Sequence, residues 1–223
     1  MNWSLLRWTP WLDTRARFIA KLPRGAGLLD IGSSDGETLR HFSELRPDLT
    51  LHATDIAGQP ERYPTGSKFY RANIESDRLP VADGSLDAVT CMHVVEHVTN
   101  VTAVLQEIMR VLKRGGLVYV ETPHPKTLIL PSPPGTSAGT FTMNFYDDPT
   151  HLTIVSVGRL ATLARSAGLR VIKTGVSRNW AFALAYPLFF FAPPSRKKWT
   201  SYAHFIGWSS YLICTKNPEP AKR

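Results

Sequence analysis

Leu28-Leu29-Asp30-Ile31-Gly32-Ser33-Ser34-Asp35-Gly36-Glu37-Thr38-Leu39 is the stretch from which the architecture follows. A short apolar run ends in an acid, a turn of Gly and Ser comes next, and Leu39, Phe42 and Leu45 then recur at helical spacing. This reads as strand, tight loop, helix. Glycine in such a loop allows a ligand to approach the backbone where a Cβ would collide. The helix N-terminus behind the loop offers free N–H groups and a positive dipole end to an electron-rich ligand. Asp30 stands at the carboxyl end of the strand, where open α/β sheets bind ligands.

A second acid ends the next strand-like run, Leu49-Thr50-Leu51-His52-Ala53-Thr54-Asp55. A carboxylate there accepts hydrogen bonds from the vicinal hydroxyls of a ribose, and its spacing from the Gly loop suits a nucleotide-binding βαβ unit. A dinucleotide fits less well. Gly32 and Gly36 do not complete the G-x-G-x-x-G pattern, and Ser33 and Ser34 restrict the close approach that a pyrophosphate needs.

Four segments taken together resemble the class I S-adenosylmethionine-dependent methyltransferases, in the branch that includes the ubiquinone-biosynthesis O-methyltransferases. They are Asp30-Ile31-Gly32-Ser33-Ser34-Asp35-Gly36, Thr54-Asp55-Ile56, the run from Leu79-Pro80 through Asp87-Ala88-Val89, and Val111-Leu112-Lys113-Arg114-Gly115-Gly116-Leu117. The likeness runs in order from about Leu28 to Val176. Where the family often has Gly, this chain has Ser34. The resemblance implies an α/β fold: a doubly wound, Rossmann-like seven-stranded sheet, mostly parallel with an antiparallel last strand, in a single domain with a lid or insertion. It implies S-adenosyl-L-methionine as cofactor, held by Asp30, Gly32, Ser33, Ser34, Gly36, Asp55 and Ile56. Asn73 and Ile74 follow the third strand, at the position that holds the adenine in the family, and His93 completes this set.

Composition agrees with one globular α/β domain. The chain has 223 residues, 43% hydrophobic and 20% charged. Cys91 and Cys214 both sit in apolar strand-like runs and read as small core residues. No secretory pattern opens the sequence, so a cytoplasmic location is the expectation. The net charge of +8 favours polyanions, but no nucleic-acid module is recognisable. Nucleic acid is therefore not an expected partner, and oligomeric state is left open.

Outside the four segments, Pro10 suggests the first turn of a helix running to about Leu22, packed over the sheet or capping the cofactor pocket. Gly58, Pro60, Pro64 and Gly66 leave room for only a short second helix, if any. Residues 122–150 form a long loop rich in Pro, Gly, Ser and Thr, of the kind that carries function. Gly115-Gly116 reads as a helix stop before a strand over Leu117–Val120. Ser156 reads as an N-cap, Leu169-Val171-Ile172 as the sixth strand and residues 210–215 as the last. Residues 180–208 combine an aromatic run interrupted by Pro187, Pro193 and Pro194 with the basic cluster Arg196-Lys197-Lys198. That composition suits peripheral contact with the inner face of a membrane, and equally a packed lid or an oligomer surface.

Methyl transfer needs nucleophile, carbon and sulfur in line with water excluded, and a hydroxyl nucleophile also needs a base. His93, His97, His124 and His151 fall beyond strands four and five. His97 and His151, at the motif edges, are the expected bases. His93, Glu96, His97 and His151 also resemble a metal site seen in a branch of RNA terminal methyltransferases, although no metal is the primary expectation. The function expected is O-methylation of a small or lipid-linked acceptor. A catalytically silent binding protein on the same fold is the alternative.

Overall fold

The structure is a computed structural model that describes residues 3–132 and 142–217. Seven strands form one sheet: β1 (Gly27–Ile31), β2 (Thr50–Asp55), β3 (Lys68–Arg71), β4 (Leu86–Met92), β5 (Leu112–Pro123), β6 (Leu169–Ser177) and β7 (Ser209–Lys216). Their order is 3-2-1-4-5-7-6. β1 to β5 run parallel, and β7 inserts antiparallel between β5 and β6. The order reverses at β1, between β2 and β4, which places a crevice at the carboxyl ends of those strands.

Alternation along the central strands divides the core. Leu28, Ala88 and Tyr119 point to one face and pack with Leu39 and Phe42 of α2 (Glu37–Leu45). Leu29, Val89, Cys91, Val118 and Val120 point to the other and pack with Val104, Leu105 and Ile108 of α3 (Val101–Val111). Period-two alternation buried on both sides is what a parallel sheet under two helical layers requires. Both cysteines are free and buried.

Several local expectations change. Helix α3 ends at Val111, before the Gly pair, and β5 begins at once. Its pairing with β4 steps from Leu86↔Leu112 to Ala88↔Leu117, so residues 113–116 bulge out of the ladder. Gly115 takes φ 78° in that bulge, and the Lys113 ammonium reaches both oxygens of Asp87. The N-terminal stretch is not one helix. Two 3-10 turns, Trp3–Arg7 and Pro10–Leu12, precede a short α1 (Thr14–Ile19). Trp3 stacks on His41 at 4.6 Å, so the first turn packs on α2, while Arg15 of α1 reaches Glu121. Between β2 and β3 the helix is reduced to one 3-10 turn, Pro60–Arg62. Ser156 caps α4 (Val157–Ser166). Residues 180–208 hold a helical pair, α5 (Trp180–Phe189) and α6 (Arg196–Ile206). The long loop carries 3-10 turns at Pro125–Ile129 and Phe145–Asp147. Its middle, 133–141, lies outside the described residues.

One buried residue ties the N-terminal segment to the second half of the chain. Asp13 Oδ1 accepts the N–H groups of Arg15 and Ala16 at the start of α1, and its Oδ2 accepts the Asn179 side-chain amide at 2.9 Å. Asp13→Ala removes a helix cap and one acceptor of a buried amide. Urea unfolding is expected to show a loss of about 2 kcal/mol, and an unchanged midpoint would show that the tie carries no stability.

Candidate functional site

Two spaces meet over the carboxyl ends of the strands. A groove of about 540 Å³ is walled by Gly32, Ser34, Asp55, Ile56, Asn73 and Ile74, together with His93, His97 and Thr150. A cavity of about 380 Å³ is lined by Arg15, His93, Glu121, Asp148, His204 and Trp208, among others. His93 is a wall of both.

The groove is shaped by backbone. Gly32 takes φ 76°, and a Cβ there would meet Val94 at 2.3 Å. Ser34 adopts a left-handed φ of 46° where the family often has Gly. Asp55 at the end of β2 fixes the loop: its Oδ2 accepts the Ser34 N–H and its Oδ1 the Ala57 N–H, both at 2.8 Å. Each oxygen keeps a lone pair for a ribose hydroxyl. Ile56 beside it is 66% exposed and offers an apolar face to a base. Asn73 Oδ1 accepts the Glu75 N–H as in an Asx turn, with one lone pair remaining.

Three of the predicted cofactor residues stand behind this wall. Asp30 is 2% exposed and accepts the Thr90 hydroxyl at 2.7 Å, so it ties β1 to β4. Burial pushes its pKa up to about 7, against the pull of the Thr90 bond. Ser33 is buried against the Tyr63 hydroxyl, and Gly36 opens α2 with φ 77°.

The cavity is built around Glu121, a fully buried carboxylate at the end of β5. Arg15 binds it through two nitrogens at 2.6 and 3.0 Å, and the Tyr119 hydroxyl donates to it at 2.6 Å. Burial alone would raise Glu121, but Arg15 and His93 hold it well below the usual carboxylate range. His93 lies between two acids, with Nδ1 at 3.1 Å from Glu96 and Nε2 at 3.5 Å from Glu121. Its φ of 56° and the bond from its N–H to the Glu121 carbonyl aim the ring there. Burial lowers the pKa of His93, but the bonds and charges of Glu121 and Glu96 outweigh this and carry it up to about 9. A protonated His93 is not a general base.

The outer histidines are held at Nδ1. His151 Nδ1 lies 2.6 Å from the Phe145 carbonyl and its Nε2 lies 4.0 Å from Asp148 Oδ2, and the ring lines neither space. His97 Nδ1 faces the Thr150 carbonyl and hydroxyl, and that hydroxyl donates to Asp148. The two rings are 4.7 Å apart. Glu96, His97 and His151 offer ligand atoms within 4.8 Å of one another, and Glu96 Oε2 is buried without a partner. The four-residue metal set therefore loses His93, which bonds Glu96. His124 caps the following 3-10 turn and lines neither space. Arg15 and Glu121 are absent from the sequence-based site. An acid ending an apolar strand was a signal for Glu121, as it was for Asp30 and Asp55; nothing pointed to Arg15.

A family model described as a methyltransferase domain matches residues 5–174. The chain belongs to this family. Its sheet has the class I order, and the family implies S-adenosylmethionine as methyl donor. A ubiquinone biosynthesis O-methyltransferase of Xanthomonas oryzae pv. oryzae is 32% identical over 111 residues, 44% of this chain and 43% of that protein. The counterpart in Xanthomonas axonopodis pv. citri is 31% identical over 113 residues, 45% of this chain and 44% of that one. The match thus spans less than half the length of these relatives. Among solved structures, an S-adenosylmethionine-dependent methyltransferase from Mesorhizobium loti superposes with a TM-score of 0.64 at 14% identity, covering 90% of this chain and 97% of that one. One from Archaeoglobus fulgidus gives 0.62 at 19% identity, covering 96% and 94%. These last two likenesses concern the fold.

Two outcomes are expected for this methyltransferase. Asp55→Ala weakens S-adenosylmethionine binding by about 1.5–3 kcal/mol, the range for hydrogen bonds to a charged group; unchanged affinity by calorimetry in a folded variant would displace the ribose from Asp55. The His93 imidazolium stabilises the fold fully below its unfolded pKa of about 6.5. That contribution is lost as pH rises through about 9. In urea unfolding, the gap between wild type and His93→Gln is therefore about 3 kcal/mol near pH 6 and shrinks toward about pH 10. A gap independent of pH would mean a neutral ring.

Proposed function

We propose that this methyltransferase methylates an oxygen of an amphiphilic acceptor, such as a prenylated phenol or a lipid-linked saccharide. The observation that carries the reading is that His93 walls both the cofactor groove and the cavity behind it. A donor and an acceptor in the two spaces would meet across that ring. Bound S-adenosylmethionine supplies a methyl made electrophilic by its sulfonium. Asp55 holds the ribose hydroxyls, and Ile56, Asn73 and Ile74 hold the adenine. Arg15 and protonated His93 orient an oxygen-bearing headgroup, and Trp208 supplies an apolar wall. The proton of a hydroxyl acceptor passes to Nε2 of His97, whose Nδ1 is fixed on Thr150, with His151 as the neighbouring acceptor. The name of the Xanthomonas relatives supports O-methylation of a ubiquinone-type phenol.

A second reading rests on the orphaned Oε2 of Glu96. With His97 and His151 it forms a donor set that suits a divalent ion. Such an ion would act there as a Lewis acid toward an acceptor oxygen.

Calorimetry with S-adenosylmethionine, followed by transfer to phenolic acceptors, tests both. Transfer is expected to survive a chelator and to fall about 100-fold or more in His97→Ala, as loss of a general base does. Abolition by chelator, restored by a divalent ion, would favour the metal. Cofactor binding without transfer to any acceptor would leave a silent binding protein.

A further inference from the structure

A surface separate from the reaction cavity carries its own signature. On one side α5 packs against α6: Phe182 stacks on His204, and Tyr186 packs at 5.0 Å on Tyr202 and 5.1 Å on Phe205. Its opposite side is largely exposed, with the Arg178 guanidinium 5.6 Å over the Trp180 ring at one end. Trp180, Leu184 and Leu188 follow one another at four-residue steps along a single face. Their exposures rise from 47% through 72% to 84%, and Phe191 beyond the helix reaches 93%. Four large apolar side chains in one exposed line exceed what a soluble surface normally scatters singly.

The line runs into a second concavity. Trp180 also walls a hollow of about 480 Å³, in which Trp11 faces it and Leu117, Tyr211 and Ile213 form the floor. This floor is the face of β5 and β7 that α1 leaves partly open. The charged residues lining the hollow are Arg17, Lys21 and Lys173, and no acid lines it. All three cations are exposed and have no acidic partner among the described residues. The residues of α1 divide: Arg15 faces the reaction cavity, whereas Arg17 and Phe18 face this hollow. The Asp13–Asn179 tie holds the Trp11 and Trp180 rims together.

We infer that this face docks on the surface of an anionic bilayer. An apolar stripe, tryptophans at its edge and cations beside it match the layering of a membrane interface. Positive charge without acidic neighbours complements anionic headgroups. No described helix is long and apolar enough to cross a membrane, so the contact is peripheral. Of the basic cluster suggested by sequence, the Lys198 ammonium is turned inward onto the carbonyls of Phe190 and Ala192, whereas Arg196 and Lys197 are exposed. Docking does not depend on the identity of the methyl acceptor and is measured without transfer.

Flotation with vesicles of phosphatidylcholine and phosphatidylglycerol, against pure phosphatidylcholine, tests the inference. Wild type is expected to float with the anionic vesicles at low salt and to be released at high salt, since surface attraction is screened. Replacing Arg17, Lys21 and Lys173 together with Ala is expected to lower partitioning by about 100-fold, from about fivefold per charge. Leu184→Ser with Leu188→Ser is expected to lower it with circular dichroism unchanged, both positions being exposed. Wild type remaining soluble at low salt overturns the inference, as does equal binding to neutral vesicles or variants that bind like wild type. Self-association through the Leu184 and Leu188 face, seen by sedimentation without vesicle binding, assigns the face to a second copy and overturns it too.

Discussion

A carboxylate with no exposed surface cannot stay charged unless the fold surrounds it with compensation, and Glu121 sets that condition here. Arg15 comes to it from α1, His93 from the turn after β4, and Tyr119 from its own strand. With Glu96 on the far side of His93, two buried carboxyl groups face two half-buried cations. Such a cluster contributes little net stability compared with apolar packing, but removing one member leaves a buried charge uncompensated, at a cost of about 3–5 kcal/mol. The geometry of the reaction cavity and the protonation of His93 are therefore one constraint. With that ring fixed as a cation, the two outer histidines stand apart from the cluster, their Nδ1 atoms held by Thr150 and Phe145.

The backbone is bent to serve that constraint. Ser34 and His93 are the non-glycine residues with positive φ among those described, and both lie in turns that leave a strand for the groove. A side chain in that region costs about 1–2 kcal/mol. At Ser34 the carbonyl accepts the Gln59 N–H and the Tyr63 hydroxyl, and its own N–H is held by Asp55. At His93 the carbonyl of Glu121 accepts the backbone N–H while its side chain faces the ring. Both strained positions sit where the two ligand spaces are shaped, as backbone strain at functional sites commonly does.

The parts of this site written in local order were readable from sequence. Gly32, Ser34, Asp55 and Ile56 lie within one βαβ unit, and their spacing carries their role. Arg15 lies 106 residues from Glu121, and only the sheet order brings them together. The N-terminal helix failed because Asp13 is a better cap than Pro10 is a start: its carboxylate accepts two backbone N–H groups, so the helix begins after it. The pair α5 and α6 escaped for a different reason. Helix α5 is apolar nearly all round, so no polar face marked its period, and Pro187 inside it read as a break.

The same apolar circumference bears on what the second half of the chain does. A helix buried on all sides needs apolar residues all round, but α5 is buried on one side only, with Ala183 at 4% and Leu188 at 84% exposure. Its aromatic side, packed on α6, helps to roof the reaction cavity through His204 and Trp208. Burial lowers the pKa of His204 to about 4, so the ring stays neutral beside Arg15 and adds no third cation to the cluster. The inward side of this helical pair is thus accounted for by the cavity it covers. Fold stability gives no reason for Leu184 and Leu188 to face outward, because exposed apolar groups gain nothing from burial in the isolated molecule. They continue the line from Trp180, which walls the basic hollow, and an apolar, anionic cover would give that placement a physical rationale.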